Sequence, residues 1–245
     1  MSGGSPLYHR PMDLARTPWP DVPRDDLTVA VPVGSFEQHG PHLPLDTDTR
    51  IATALTGAVA GAVAGALTGV VTAPAITYGA SGEHEGFAGT ISIGTEALEA
   101  LLVEYGRSAC RWARRVVFVN GHGGNGPALV KAVELLRYEG RDAAWLPCAV
   151  PGADAHAGHT ETSLLLHLSP ADVAMDRAEP GNTAPIADLM PHLRSGGMLA
   201  ATPNGILGDP TGATAEEGER LFADLVRRAG KAIENWAPRP DGRLV

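Results

Sequence analysis

Cysteine is scarce in this chain: Cys110 and Cys148 are the only two. They make no metal-ligand spacing and no disulfide framework, which excludes a zinc-ribbon or disulfide-stapled fold. Basic residues are also few, 19 Lys and Arg against 28 Asp and Glu, for a formal charge of −9. No basic stripe gathers them, which argues against nucleic acid or an anionic membrane surface as partner. The opening 1–26 is polar and proline-rich and lacks the apolar core of a signal peptide. It reads as an irregular arm on a cytoplasmic protein. No linker-like stretch and no internal repeat divides the rest, so 27–245 is expected to be a single domain.

Charge is missing locally as well. Residues 51–82 carry none, and the run is long enough to raise the question of a membrane helix. Alanine, glycine and threonine dominate it, however, and these gain little in hydrocarbon; Pro74 and the turn-like Thr77 to Gly82 then break it. A buried small-residue helix over 48–66, pressed against a sheet or a subunit contact, and a strand over 70–76 fit better. Elsewhere strand and helix patterns alternate. Apolar runs predict strands over 27–33, 116–119 and 142–150, and helical spacing predicts helices over 95–114, 126–138, 161–168 and 214–236. The proline- and glycine-rich passage 170–210 predicts irregular chain, with 180–210 as a mobile segment forming part of a cleft. The alternation implies an α/β domain with a mainly parallel sheet covered by helices on both faces, in which ligands sit at the carboxyl ends of strands.

Three clusters of metal-ligand chemistry fall at such ends. The first, VPVGSFEQHGPHLPLDTDTR over 31–50, holds Glu37, His39, His42, Asp46 and Asp48 among turn-forming Gly34, Gly40, Pro41 and Pro44. Imidazole nitrogen and carboxylate oxygen suit zinc, manganese or iron(II). The second, NGHGGNG over 120–126, contains a literal GxGxxG and so raises a dinucleotide-binding oxidoreductase. Its strand is not the first of the chain, though, and no acidic residue ends the next strand to hold a ribose. The glycines equally allow a tight turn that sends His122 inward while Asn120 and Asn125 hold the loop. The third, DAHAGHTETS over 154–163, groups His156, His159 and Glu161, with Thr160 or Thr162 as a helix cap. Converging, the three would make a two-metal hydrolytic site.

The blocks GSFEQHGPHLPLDTD, YGASGEHEGFAGTISIG, NGHGGN and HAGHTETS, in that order, resemble the signature of the creatininase family of metal-dependent amidohydrolases. The resemblance implies a creatininase-like three-layer α/β/α domain and two divalent ions per subunit. It also implies Glu37, His39, Asp48 and His122 as ligands, with Asp48 as the bridge. Where the family carries a further ligand glutamate, this chain has Gly124, and Glu161 is the candidate replacement. His156 matches the family histidine placed near substrate, as proton donor or oxyanion stabiliser, and with Glu161 it makes up the expected catalytic pair. His42, His84, Glu83 and His159 are either partners that orient ligands or substrate contacts. The passage CAVPGADAH before His156 has no aromatic residue, which argues against creatinine. The text between the blocks, including TDTRIATA and LLHLSPADV, is similar to family members that cleave a modified precursor peptide. These cut before its C-terminal Val-Tyr pair and release the cross-linked lactam product. The alternative is hydrolysis of a small cyclic amide or a formamide. A homo-oligomer, hexameric or similar, is implied too.

Overall fold

The computed structural model describes residues 12–24, 26–63 and 69–245. In chain order the elements are β1 (Met12–Asp13), β2 (Thr28–Val33), α1 (Thr47–Ala62), β3 (Val70–Thr72), α2 (Thr95–Ala109), β4 (Arg115–Asn120), α3 (Gly126–Tyr138), β5 (Ala143–Pro147), α4 (His159–Leu168), α5 (Ile186–Ala201) and α6 (Ala215–Asn235). The strands form one sheet in the order β1-β3-β2-β4-β5, and every pairing is parallel. β2 is buried along its whole length, as a strand sandwiched between two helical layers must be; hence its unbroken apolar run.

Alternate side chains of the central strands feed two cores. Val29, Val31, Val33 and Phe118 pack with Leu98 and Leu102 of α2 and with Leu129, Val133 and Leu136 of α3. Ala30, Val117 and Val119 face Leu55 and Val59 of α1, Leu164 and Leu165 of α4, and Leu225 and Ile233 of α6. The result is a three-layer α/β/α arrangement. Successive strands lie on opposite sides of β2, because α1 carries the chain to β3 and α2 carries it back across to β4. That reversal opens a crevice at the carboxyl ends of β2 and β4. The register sharpens it: Val33 lies beside Asn120, and Asn120 beside Pro147. Three loops therefore leave the sheet side by side.

The charge-free run becomes α1 and β3, and its expected helix end at 64–66 lies outside the described residues. Among the described residues, no helix is long and apolar enough to cross a membrane. Gly57 of α1 has open space around its Cβ position; the close helix approach occurs instead at Gly218 of α6, which rests on the Ser163 carbonyl of α4. Three expectations are corrected. α2 stops at Ala109, not 114, because the Arg114 and Arg115 amides both turn to the Leu27 carbonyl at 3.0 and 3.1 Å and start the next strand. Part of the arm is ordered as β1, which pairs with β3. The passage 170–210 is not irregular throughout. It contains α5, in which Ile186, Leu189, Met190 and Leu193 recur at helical spacing despite Pro191, and the helix kinks at Gly197, where φ is 67°.

Candidate metal centre

The crevice is closed by the first turn of α1, and two glycines let it approach. A Cβ at Gly34, at the exit of β2, would run into the Thr49 backbone; one at Gly121, at the exit of β4, would run into the Asp48 carbonyl. With both absent, Asp48 is wedged between the two strand ends, where Ser35 bonds one of its carboxylate oxygens. The loop after β2 delivers Glu37 and His39, and the loop after β4 delivers His122. The segment after β5 delivers His156 and, one turn into α4, Glu161. All but Glu161 are buried.

These side chains meet. His122 Nδ1 lies 3.0 Å from Glu37 Oε1 and 3.6 Å from Asp48 Oδ2. His39 Nε2 is 3.3 Å from Asp48 Oδ1 and 4.0 Å from Glu161 Oε2, and His156 Nδ1 is 3.9 Å from Glu37 Oε1. Three sets of donor atoms fall within 4.8 Å of one another: Glu37, Asp48 and His122; His39, Asp48 and Glu161; and Glu37, His39 and His156. Asp48 belongs to two of them. The Glu37 carboxylate is fully buried, and its Oε1 is faced by His122 Nδ1 at 3.0 Å and His84 Nε2 at 3.3 Å, while among the described residues its Oε2 has no hydrogen-bond partner, a costly arrangement unless a cation is the further partner.

The histidine tautomers fit the same purpose. A backbone carbonyl only accepts, so the ring nitrogen facing one carries the hydrogen. His39 Nδ1 donates to the Glu37 carbonyl at 3.1 Å, His122 Nε2 to Ala80 at 3.2 Å, and His156 Nε2 to Gln38 at 2.8 Å. Each ring then turns its other nitrogen toward the centre: in His156 it carries a free lone pair, whereas in His39 and His122 the facing carboxylates hold a proton there that a bound cation would replace.

Electrostatics divide the groups. Burial pushes the Glu37 carboxyl up, but His122, with His84 and His39, overrides it and holds Glu37 well below the usual carboxylate range. Burial pushes Glu161 up to about 7, with Asp48 and Asp154 adding to it and only His39 and the Ala157 amide opposing. His39 is raised to about 10, because Asp48 and Glu161 outweigh its burial. His122 is likewise raised by Glu37, Glu83 and Asp48. His156 is held well below its usual value by burial and by the neighbouring His39 and His84 rings. The carboxylates demand positive charge at the centre.

Of the remaining candidates, His84 sends Nε2 to Glu37 Oε1 at 3.3 Å, and Glu83 Oε1 lies 3.4 Å from the outward nitrogen of His122. Both stand behind the donor groups. A side chain at Gly124 would collide with the His122 ring, the Ala80 carbonyl and the Glu83 carboxylate, so the second donor set draws its carboxylate from Glu161. His42 packs on Thr162 at 2.8 Å and does not reach the centre. His159 and Asp46 lie outside it: His159 is near Asp209, and Asp46 pairs with Arg50 at 2.7 Å. Neither threonine caps α4, since Asp154 accepts from the His159 and Thr160 amides instead. Asn120 and Asn125 hold the second loop as expected, with Asn125 reaching the Gly34 carbonyl at 2.9 Å and Asn120 the His122 carbonyl at 2.6 Å.

Gln38 escaped the sequence reading. Its side-chain nitrogen donates to His84 Nδ1 at 2.9 Å and to the Gly205 carbonyl at 3.0 Å, and its oxygen accepts from the Gly40 amide at 2.9 Å. It fixes the His84 tautomer, and its own carbonyl fixes that of His156. An amide between two ligand-type residues was the signal available.

A cavity of about 770 Å³ opens over the centre. Asp48, His122, His156 and Glu161 line it on one side, while Ile186, Met190, Leu193 and Met198 of α5 form a largely apolar wall that Arg194 interrupts.

Residues 15–233 match the model of a family described as creatininase, creatinine amidohydrolase. The chain is 65% identical over 218 residues to the mycofactocin precursor peptide peptidase of Mycolicibacterium smegmatis, covering 89% of this chain and 88% of that one. To the protein of that name from Mycobacterium tuberculosis H37Rv it is 57% identical over 247 residues, covering 97% and 98%. A solved structure titled creatininase Mn superposes with a TM-score of 0.79 at 27% identity, covering 93% of this chain and all of that one. With this fold, these donors at the strand ends and this match over most of its length, the chain belongs to the creatininase family.

Proposed function

We propose that this chain is a metal-dependent peptidase of mycofactocin biosynthesis. It hydrolyses the peptide bond before the modified C-terminal Val-Tyr pair of a precursor peptide and so releases the cross-linked lactam product. The observation that carries the reading is the fully buried, anionic Glu37 carboxylate amid Asp48, His39, His122 and Glu161, whose donor atoms fall into overlapping sets of three. Glu37, Asp48 and His122 would hold one divalent ion, and His39, Asp48 and Glu161 a second, with Asp48 shared. Zinc, iron(II) and manganese all suit such a shell. When bound, ions of this kind supply an activated water near neutral pH and polarise the amide carbonyl.

The chain's own groups do the rest. His84 and Gln38 keep Glu37 and His156 in place. His156 Nδ1, which has no proton at rest, takes the proton that the attacking water gives up and passes it to the leaving amine as the C–N bond breaks. The apolar wall of α5 receives the uncharged Val-Tyr-derived group and excludes water from it. A cavity of about 770 Å³ suits part of a peptide better than a small cyclic amide or a formamide. Residues 27–245 act as one domain in the cytoplasm, in a homo-oligomer of hexameric or similar order. The exposed Tyr78 and Ile91, which flank Phe36, support a subunit contact.

The test pairs metal content with cleavage. Wild-type protein is expected to carry close to two ions per chain and to release the C-terminal fragment from enzymatically modified precursor peptide. Asp48→Ala is expected to lose both ions and at least about a thousandfold in rate. Wild-type protein that takes up none of the three metals would sink the reading.

A further inference from the structure

A second cavity, of about 500 Å³, adjoins the first. The two share Ala153, Asp154, Ala155, Thr160, Ile186 and Leu207 as lining, so they form one groove with a low saddle between them. At the saddle stand Ala153 and Ala155, both exposed, whose single methyl groups leave the crossing open. The lining then changes character. Beyond the saddle the wall is mixed, with a larger polar share than the first cavity: His159 and Thr160 from the first turn of α4, Thr183 from the segment ahead of α5, and Asp209.

Several of the polar groups there are already committed. Asp154 is spent on the His159 and Thr160 amides, Asn182 on the Ala201 carbonyl and the Ala184 amide, and Asp209 on Thr211. These bonds make the walls rigid. Thr183 and His159 also line the groove, His159 close to Asp209. Their neighbour Thr160 lies one residue from Glu161, so the polar cavity starts within a residue of the metal centre.

We propose that this second cavity is the subsite for unmodified peptide on the acyl side of the scissile bond, bound as an extended strand. The inference rests on the peptidase reading and adds a direction to it. An extended peptide carries one donor and one acceptor per residue and needs polar partners along its path. The wall of α5 offers Arg194 alone among apolar side chains, whereas the second cavity offers several polar side chains in a row. The apolar cavity therefore takes the modified C-terminal pair, the scissile carbonyl lies over the donor cluster, and the preceding residues cross Ala153 and Ala155 to reach Thr183 and His159.

The experiment compares kcat/KM for full-length modified precursor peptide and for a truncated one that keeps only two residues before the scissile bond. Both are run with wild type, Thr183→Trp and Ala155→Phe. Wild type is expected to prefer the long peptide by about tenfold, the worth of one or two hydrogen bonds. Both variants are expected to erase most of that preference through KM, with the ratio of long to short falling toward one. Equal kcat/KM for the two lengths in wild type, or a preference that neither variant alters, would overturn the subsite while leaving the peptidase reading intact. Cleavage of neither peptide by metal-loaded wild type would instead remove the peptidase reading and the subsite with it.

Discussion

Glu37 and Glu161 approach one centre from opposite sides, and their surroundings drive them apart. Both lose water on burial, which alone would favour the neutral acid. Around Glu37 three imidazoles more than offset that loss and keep it an anion. Around Glu161 two aspartates add to it, and only one histidine and a backbone amide oppose, so its carboxyl titrates at about 7. Glu37 is held as an anion; Glu161 gives up its proton far less readily. Identical side chains thus differ in how readily they carry charge, through their neighbours alone.

Exchanging each for its amide would test that contrast. Glu37→Gln is expected to abolish metal retention and to cut cleavage by more than about a thousandfold. Glu161→Gln is expected to keep close to one ion per chain and to lose about a hundredfold. The pH profile separates them further. The Glu161 carboxyl is raised in the folded chain above its ordinary value of 4.5. In chelator-stripped protein the stability it contributes is complete below that value and lost as pH rises through about 7. Denaturant midpoints of stripped protein should show this decline in wild type and less of it in Glu161→Gln. Equal decline in both would mean that the two carboxyls do not differ.

A smaller effect is expected one layer out. Gln38→Ala releases the His84 tautomer and opens a gap at the Gly205 carbonyl. Activity should fall about ten- to a hundredfold, as for other groups that orient ligands, with metal content by elemental analysis nearly unchanged. Loss of both ions would show that Gln38 supports the donors themselves.

The smallest concerns His42, whose ring is pushed down to about 4 by burial and by His39. Its folded value is depressed, so the stability it contributes is present above 6.5, the ordinary value, and lost as pH falls through about 4. His42→Asn should flatten acid unfolding over that window by up to about 3 kcal/mol, read from thermal melts. An unchanged acid limb would assign the loss to other groups.

Legibility in the sequence followed the range of the forces involved. β2, β4, α3 and α6 were readable because burial on both faces, or on one stripe, writes a local period into the text. Glu37, His39, Asp48, His122, His156 and Glu161 were readable as ligand-type residues because few other uses bring buried carboxylates and imidazoles to strand ends. α5 was hidden because Pro191 and the Gly196-Gly197 pair are breakers by local preference, whereas packing of Leu189 and Met198 against Leu207 outweighs them. The cap of α4 was misplaced for a related reason: the hydroxyls of Thr160 and Thr162 stood at the right distance in sequence, but Asp154 folds back to the same amides.

By itself, then, the sequence determined the α/β alternation, the parallel sheet, the acidic surface and the kinds of atom available for a metal site. Those properties depend on residue type and spacing. The tertiary structure alone decided which donors share a set, that Glu161 and not a residue at position 124 completes the second, and that Gln38 governs two rings. It also made α5 a wall and placed a polar cavity beyond Ala153 and Ala155. Each of these depends on distances between residues far apart in the chain, which are fixed only when β2, β4 and β5 lie in register and bring their loops to one edge.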